Sequence, residues 1–187
     1  MISFAMCGSF CTHSASLEVL RALCRENDVL PIVSETVYES DTRFGTAAAL
    51  KLCLEETTGH RVIHTVREAE VLGPDQSSEC LVICPTTGNT LSKLALGITD
   101  SSVTMAAKAH LRTDRPVILA IASNDALGAS LSNIATLLNR KNYYIVPMIQ
   151  DDTVKKPHSL VADFSRVGDA LDAARHETQL RPLFLTK

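Results

Sequence analysis

The sequence lacks most of the short motifs by which a function is commonly recognised. It contains no GxGxxG fingerprint of a dinucleotide-binding fold and no GxSxG nucleophile elbow of a serine hydrolase. No CxxC pair and no histidine pair has the spacing of metal ligands, so we expect no metal site. These absences leave the catalytic residues unknown.

The sequence also lacks an excess of charge of one sign and any long apolar run. Its 18 basic and 21 acidic side chains give a net charge of −3, which offers no reason to expect nucleic acid or an anionic membrane as a partner. No apolar run approaches the roughly 18 residues of a membrane-spanning helix, and the start MISFAMCGSF has no basic leader. We therefore expect a cytoplasmic protein.

Hydrophobic residues are plentiful, and cysteines are among them. They make up 45% of the chain, which favours a globular protein that buries further surface in an oligomer. Cys11 lies in a glycine-led loop and is expected to be exposed. The other five cysteines lie in apolar, periodic segments, where cysteine behaves as a small hydrophobic residue; they are Cys7, Cys24, Cys53, Cys80 and Cys84.

The apolar residues form short runs that alternate with helical patterns. Pro31 in the second run is typical of an edge strand. A helix is predicted from about Thr46 to Glu56, with Gly59 as its C-cap. The alternation predicts an α/β fold of three layers, α/β/α, with a parallel sheet, in a single domain that spans residues 1–187. Strands are predicted at 2–7, 29–33, 81–84, 117–122 and 143–148, with a weaker one at 61–64.

The carboxyl ends of the predicted strands lead into polar loops. In sheets of this kind, ligands bind beyond the carboxyl ends of the strands, where the strand order reverses. Four loops would meet at that edge and form a binding site; they are 8–14, 34–45, 85–92 and 122–128.

The first of these loops, CGSFCTHS, combines a glycine with several hydroxyl groups. Ser9, Thr12 and Ser14 offer hydroxyls, and the backbone amides of a helix start attract phosphate or carboxylate without a fixed positive charge. The alternative is an ordinary turn in which Ser14 is the helix N-cap. Ser34, at the end of the second strand, adds a hydroxyl to the same edge.

The loop CPTTGNT after the strand LVIC has the same character. Thr86, Thr87, Asn89 and Thr90 supply neutral donors, and Gly88 allows a turn in which backbone amides converge on a ligand. The alternative is a turn that precedes a well-capped helix. Neutral donors beside apolar walls suit a planar ligand with one phosphate. A hydrolase pair of Ser9 and His13 is not favoured, because no acid partner can be assigned.

Few cations lie in the loops of the predicted edge. Arg43, in DTRFG, is the best candidate to hold a substrate carboxylate, because a guanidinium binds carboxylate in a bidentate way; the alternative is a pair with Asp41. Lys155 and Lys156, beside His158, are further candidates to bind an anionic substrate, because few other loops offer cations together. For these the alternative is a solvated loop.

Two more polar side chains, Asn124 and Asp125, follow the predicted strand 117–122. They could hydrogen-bond the edge of a ligand ring. The alternative is that they cap a helix that begins at Ala126, and this alternative is slightly favoured.

The glycine and serine after the first strand, Ser34 after the second and the stretch LVICPTTGNTLSKLALGITDS together resemble the flavoprotein family of flavin-dependent cysteine decarboxylases and flavin prenyltransferases. The resemblance implies a flavodoxin-like Rossmann sheet, FMN bound between protomers, and a trimer or higher homo-oligomer. FMN, or a phosphate in its place, is therefore the expected ligand. Its phosphate and ribityl contacts would fall on Gly8, Ser9, Ser34, Thr86, Thr87 and Thr90, with Thr12 beside them, and Asn89 matches the asparagine of the decarboxylases' loop.

The sequence departs from that family at the residues of its chemistry. Where the decarboxylases carry a histidine before the third strand, this chain reads REAEVLG, and His64 lies earlier. Their APAMN motif is AIASN here, and Met105 replaces an arginine of the prenyltransferases. The resemblance therefore supports neither decarboxylation nor flavin prenylation.

A narrower resemblance extends over nearly the whole chain. ESDTRFG, GPDQSSECLVICPTTGNTLSKLALGITDS, RPVILAIASNDALG and QDDTVKKPHSLVADF look like the family of dipicolinate synthase B subunits. This implies an oxidoreductase subunit that acts with a nicotinamide-nucleotide-binding A subunit to form dipicolinate from dihydrodipicolinate during sporulation, and that is inactive alone. The alternatives are a non-catalytic partner that retains the fold, or an independent FMN-dependent decarboxylase or prenyltransferase-like enzyme.

Overall fold

The structure is a computed structural model that describes residues 1–186, and one seven-stranded sheet lies at its centre. Strands β1 to β5 are parallel and lie in the order β2-β1-β3-β4-β5, which is a flavodoxin-like order. The predicted flavodoxin-like α/β fold is confirmed. The strands are β1 (Ile2–Met6), β2 (Val29–Val33), β3 (Cys80–Thr86), β4 (Val117–Ser123), β5 (Tyr143–Ile145), β6 (Met148–Ile149) and β7 (Leu160–Ala162).

Helices cover both faces of the sheet and complete the three layers. In the described part of the chain, no helix combines the length and apolar character that a membrane span requires. α4 to α8 cover one face, and α1, α3 and α9 cover the other. The helices are α1 (His13–Leu23), α2 (Glu35–Glu39), α3 (Ala47–Thr58), α4 (Val66–Glu70), α5 (Leu72–Asp75), α6 (Gly88–Leu96), α7 (Ser102–Leu111), α8 (Leu131–Leu138) and α9 (Val167–Arg175).

The strands are apolar throughout because each buries both of its faces. In β1, Phe4 and Met6 belong to the core on the α1 side, whereas Ala5 and Cys7 belong to the core on the α6 side. Successive side chains of a strand point to opposite faces, so a continuous apolar run supplies both cores.

The sheet differs from the prediction at one edge, where it is mixed rather than purely parallel. The last predicted strand, 143–148, is two strands, because β5 ends at Ile145 and Pro147 separates it from β6. Proline has no N–H to donate to a ladder, so the chain leaves the parallel path there. β6 and β7 then pair antiparallel, and β7 joins the end of β4 at Ala122 and Ser123.

The weak strand predicted at 61–64 is reduced to a single bridge. Ile63 forms one parallel bridge with Ile32. Its carbonyl accepts a hydrogen bond from the amide of Val33 at 2.9 Å, and its amide donates to Pro31 at 2.9 Å. The segment therefore covers the outer edge of β2, which is the edge strand that Pro31 predicted.

The observed ends of α3 match the prediction, whereas the observed starts of α1 and α8 differ from the predicted ones. α3 begins after its N-cap Thr46 and ends at Gly59, whose φ of 73° is the left-handed conformation that glycine favours. The N-cap predicted at Ser14 is wrong, because α1 already begins at His13. The helix predicted to start at Ala126 is also wrong. Turns occupy residues 124–130, and α8 begins at Leu131.

Candidate functional site

The candidate site lies at the carboxyl edge of the sheet, where the strand order reverses between β1 and β3. Hydrogen bonds bring the three strand ends together there. The amide of Cys7 donates to the carbonyl of Pro85 at 3.2 Å, and the amide of Ser34 donates to the carbonyl of Met6 at 3.1 Å. The first three predicted loops therefore share one edge.

The start of α6 supplies the strongest set of neutral donors at this edge. Thr87 is the N-cap, and its hydroxyl oxygen accepts from the amide of Thr90 at 3.3 Å. The amides of Gly88 and Asn89, in the first turn, have no intrahelical acceptor, and the positive end of the helix dipole lies among them. Asn89 is exposed. This end of α6 can bind a phosphate or carboxylate.

Two threonine hydroxyls connect the start of α6 to the end of β1. The hydroxyl oxygens of Thr87 and Thr90 lie 3.1 Å apart, and Thr90 donates to the sulfur of Cys7 at 3.2 Å. Burial raises the pKa of the Cys7 thiol to about 11, so it is a neutral thiol at neutral pH. Thr90 is buried and positions the helix, whereas Thr87 is only half-buried.

Thr86 is placed differently from the other threonines of the loop. Its side chain is fully buried, and its hydroxyl donates to the carbonyl of Ile83 at 2.7 Å. This bond lies where the pairing register of β3 shifts between Ile83 and Thr86. The hydroxyl thus stabilises the irregular end of the strand.

Gly88 is required by a polar cluster that sequence reasoning missed. A Cβ atom at Gly88 would lie 2.9 Å from the hydroxyl of Ser123 and 3.0 Å from both a carboxylate oxygen of Asp125 and the hydroxyl of Ser130. Asp125 accepts hydrogen bonds from both serines, and the bond from Ser123 is the main reason that its pKa is lowered. In the sequence, the only signal of this cluster was the position of Ser123 and Ser130, two residues before and five residues after Asp125.

In the first loop, the serine is more available than the threonine. Thr12 donates its hydroxyl to the carbonyl of Ser9 at 2.8 Å and so holds the turn closed. The hydroxyl of Ser9 has only a weak contact, with the sulfur of Cys11 at 4.0 Å. Beside it, a Cβ atom at Gly8 would meet only ordinary contacts, the nearest being the Phe10 ring at 3.5 Å. Ser9 is therefore the side-chain donor of this loop.

His13 is not hydrogen-bonded to Ser9 in the described structure. Its Nε2 atom donates to the carbonyl of Cys7 at 2.9 Å, and burial lowers its pKa, so the ring is neutral and holds its proton in this bond. The hydrolase pair that the sequence disfavoured does not form.

The end of β2 brings a further helix start to the same edge. Ser34 caps the short α2, where it accepts from the amide of Val37 at 3.4 Å. Ser102, at the start of α7, donates its hydroxyl to the carbonyl of Val33 at 2.6 Å, and its amide donates to Glu35 at 2.9 Å. Because the Glu35 carboxylate already occupies the start of α7, an external anion would go to α6.

Arg43 lies in an exposed turn and forms no pair with Asp41. The Asp41 carboxylate accepts from the amide of Ala47 at 2.9 Å, and the Arg43 guanidinium lies 4.8 Å from the centre of the Phe44 ring. Beside this turn, a cleft of about 380 Å³ separates residues 42–47 from α1, and Phe44 and Cys11 line it. Arg43 is thus beside the cleft, and its charge has no ion-pair partner in the described structure.

Lys155 and Lys156 lie in the loop between β6 and β7. The amide of Leu127 donates to the carbonyl of His158 at 2.8 Å and holds this loop at the carboxyl edge of the sheet. Lys156 pairs with Asp151 at 3.1 Å. Both lysines are exposed, and Lys155, which forms no ion pair in the described structure, is the freer of the two cations.

Among residues 1–186, no three His, Cys, Asp or Glu side chains are grouped so that they could hold a metal ion. The site therefore consists of helix-start amides, hydroxyls and an asparagine, with cations only at its margin. Such a donor set recognises a phosphate monoester on a larger neutral or apolar group.

Comparisons with known proteins show the family of the chain. A model of the Flavoprotein family matches residues 2–174, and the chain belongs to that family. The B subunit of dipicolinate synthase from Bacillus subtilis (strain 168) is 41% identical to it over 185 residues, which is 98% of this chain and 92% of that protein.

Solved structures resemble the chain over nearly its whole length. The crystal structure of the dipicolinate synthase B subunit from Bacillus halodurans C matches with a TM-score of 0.91 and 37% identity, covering 100% of this chain and 96% of that one. The FMN-dependent cysteine decarboxylase SpaF matches with a TM-score of 0.68 and 25% identity, covering 93% and 96%.

Proposed function

We propose that this chain is the B subunit of a dipicolinate synthase, and that it acts in the cytoplasm of a sporulating cell with a nicotinamide-nucleotide-binding A subunit to form dipicolinate from dihydrodipicolinate. The observation that carries the proposal is the 41% identity, over 98% of the chain, to the B subunit of the Bacillus subtilis dipicolinate synthase. Similarity of this extent includes the loops as well as the core, and loops carry function.

The proposed ligand of the carboxyl edge is FMN. The donors fit its phosphate, because the amides of Gly88 and Asn89, the Thr87 hydroxyl and the Ser9 hydroxyl are neutral donors beside a helix start. Gly8 precedes Ser9 in the same loop, and we propose that its backbone also contacts the ligand. A bound flavin would supply an acceptor or donor of a hydride.

The side chains of this edge would bind and orient rather than transfer protons. His13 holds its Nε2 proton against a carbonyl, and the Cys7 thiol is neutral and buried. Asp125 is held ionised by hydroxyl donors. None of these side chains is a hydride acceptor, so an oxidation needs an acceptor from elsewhere, and this supports the proposal that the chain is inactive alone.

Substrate recognition would fall to the cations at the margin of the site. Arg43 and Lys155 are exposed, and neither is in an ion pair in the described structure. Lys156 is also exposed, and it pairs with Asp151. A pyridine dicarboxylate carries two negative charges, and we propose that these three residues hold its carboxylates.

An independent flavin-dependent decarboxylase is the second candidate, favoured by the likeness to SpaF. His64, the nearest histidine in sequence to the family position, stacks on Tyr38 with ring centroids 3.6 Å apart, and its Nδ1 atom lies 3.3 Å from Glu68. These contacts fix it beside α4, so they favour the synthase over the decarboxylase.

A trimer or higher homo-oligomer is proposed as well. Large apolar side chains are exposed at several places on the surface, and Leu96, Val154 and Leu52 are 74%, 86% and 57% exposed. Burial of such side chains between protomers would remove apolar area from water.

The test is reconstitution with the partner protein. The purified chain is assayed for dipicolinate by ultraviolet absorbance, alone and with the A subunit, after incubation with and without FMN. Activity only in the mixture, with flavin retained on gel filtration, supports the proposal. Steady product formation by this chain alone contradicts its role as one of two required subunits, and a mixture that is fully active without any bound flavin contradicts the cofactor.

A further inference from the structure

A second cavity lies at the opposite edge of the sheet from the candidate site. It has a volume of about 530 Å³, and six of the residues that line it are Leu94, Ile98, Lys108, Arg112, Arg140 and Tyr143. α6 and α7 begin at the carboxyl edge, so their last turns reach the amino edge, where β5 begins. Cavities of roughly 300–1,000 Å³ are the usual size for small-molecule sites.

Two of the four basic residues that line the cavity are already committed to other groups. Arg140 donates to the carbonyl oxygens of Leu94 at 3.1 Å and Ala95 at 2.7 Å, and thereby caps the end of α6. Lys141 pairs with Asp114 at 3.1 Å. Arg140 is therefore committed to the carbonyls at the end of α6, and Lys141 is committed to the carboxylate of Asp114.

The other two basic residues, Lys108 and Arg112, have no ion-pair partner among residues 1–186. They are four residues apart at the end of α7, so they lie on the same side of the helix. The guanidinium carbon of Arg112 lies 3.8 Å from the position that a Cβ atom of Gly73 would take. The guanidinium therefore lies close to α5. The cavity carries two uncommitted positive charges.

The remaining lining is apolar, with one phenol. Leu94, Leu111 and Ile98 supply aliphatic surface. Tyr143 is only 7% exposed, and no hydrogen bond within the described structure involves its hydroxyl. Burial raises the pKa of Tyr143 to about 12, so the phenol keeps its proton and can donate it.

We propose that this cavity binds a small aromatic dicarboxylate, whose two carboxylates pair with Lys108 and Arg112 and whose ring lies on the aliphatic surface. Two separated cations match two carboxylates, and the apolar surface matches a flat ring. The site is distinct from the carboxyl edge, and the proposal does not rest on the function proposed for that edge.

The test locates binding by methyl NMR on the full chain. Pyridine-2,6-dicarboxylate is titrated into protein with labelled Ile, Leu and Val methyl groups, and inorganic phosphate is titrated in parallel. We expect saturable shifts at Ile98 and Leu111. Replacing Lys108→Gln and Arg112→Gln together should weaken this binding on the order of 100-fold, since two charge-assisted hydrogen bonds are lost.

Two control variants separate charge recognition from misfolding. The exchange Lys108→Arg with Arg112→Lys keeps both charges and should retain binding within a few-fold. Arg25→Gln with Arg67→Gln removes two exposed cations elsewhere and should bind as the wild type does. Shifts confined to Val37 and Leu50 beside the first cleft, unchanged affinity in the glutamine variant, or equal affinity for phosphate would each overturn the proposal.

Discussion

His110 is a buried, neutral histidine whose protonation should destabilise the fold. It is 0% exposed and lies in α7, where its Nδ1 atom donates to the carbonyl of Ala106 at 2.8 Å. Its Nε2 atom, which carries no proton in this tautomer of the neutral ring, lies 3.1 Å from the hydroxyl of Ser78, and that hydroxyl accepts from Ser3 at 2.8 Å. Arg115, whose guanidinium donates to the carbonyl of Ser78, adds a positive charge nearby.

The surroundings lower the pKa of His110 from its usual value of 6.5 to about 4. Burial is the main cause, because it penalises the charged imidazolium, and the Arg115 charge acts in the same direction. The unfolded chain binds a proton near pH 6.5, whereas the folded chain binds it near pH 4. The stability contributed by the neutral ring is therefore fully present above pH 6.5 and is lost as the pH falls towards 4.

The size of the effect follows from the two pKa values. A difference of one pKa unit is worth about 1.4 kcal/mol, so the native state should lose about 3 kcal/mol between pH 7 and pH 4 through this residue. Urea unfolding at fixed protein concentration, repeated at half-unit steps of pH, measures it. His110→Gln replaces the imidazole with an amide that can hydrogen-bond but does not titrate. The stability of this variant should therefore fall less steeply with acid than that of the wild type.

His176→Gln, at an exposed position after α9, is the matched control for the substitution of a histidine by glutamine. The difference between wild type and His110→Gln isolates the contribution of His110 from that of the carboxyl groups, which titrate in the same range. Parallel curves for the two proteins down to about pH 4 would refute the reasoning, since they would mean that the folded protein binds the proton as readily as the unfolded chain.

Three further predictions concern the carboxyl edge. Gly88→Ala should destabilise the protein by about 1–3 kcal/mol in urea unfolding, because the new Cβ would overlap the polar cluster around Asp125; a variant as stable as wild type would contradict the close packing. Thr87→Val should lose about 1 kcal/mol of stability with the helix cap and should bind FMN more weakly in fluorescence titration, whereas Thr87→Ser should retain both. Arg43→Ala should reduce dipicolinate formation in the mixture with the A subunit, mainly as a raised KM, and unchanged kinetics would remove Arg43 from the substrate site.

The parallel part of the fold was predictable because its strands bury both faces. Continuous apolar runs such as 117–122 leave few alternatives to a covered parallel strand, and Pro31 identified the edge. The antiparallel pair β6 and β7 was not predictable, since strands of two and three residues have no measurable period. Pro147 was the sequence signal for the break between β5 and β6. Its effect on the direction of the chain depends on the position of β4.

The location of the candidate site was predictable, but the roles of its residues were not. Loop positions follow from the sheet, whereas the partner of each hydroxyl depends on tertiary contacts. Thr90 donates to Cys7, a residue 83 positions away, and Ser102 donates to Val33 across 69 positions. No local pattern announces such bonds, so Ser102 was missed, and Thr86 and Thr90 were grouped with the more accessible Thr87.

The two interpretations of the CPTTGNT loop, a capped helix and an anion site, are compatible because they use different groups. The cap uses the Thr87 hydroxyl oxygen as an acceptor for the amide of Thr90. An anion would use the amides of Gly88 and Asn89, which the cap leaves without a partner. Thr87 therefore fixes the helix start whether or not a ligand is bound, and the cap leaves available the amides that we propose as donors to an anion.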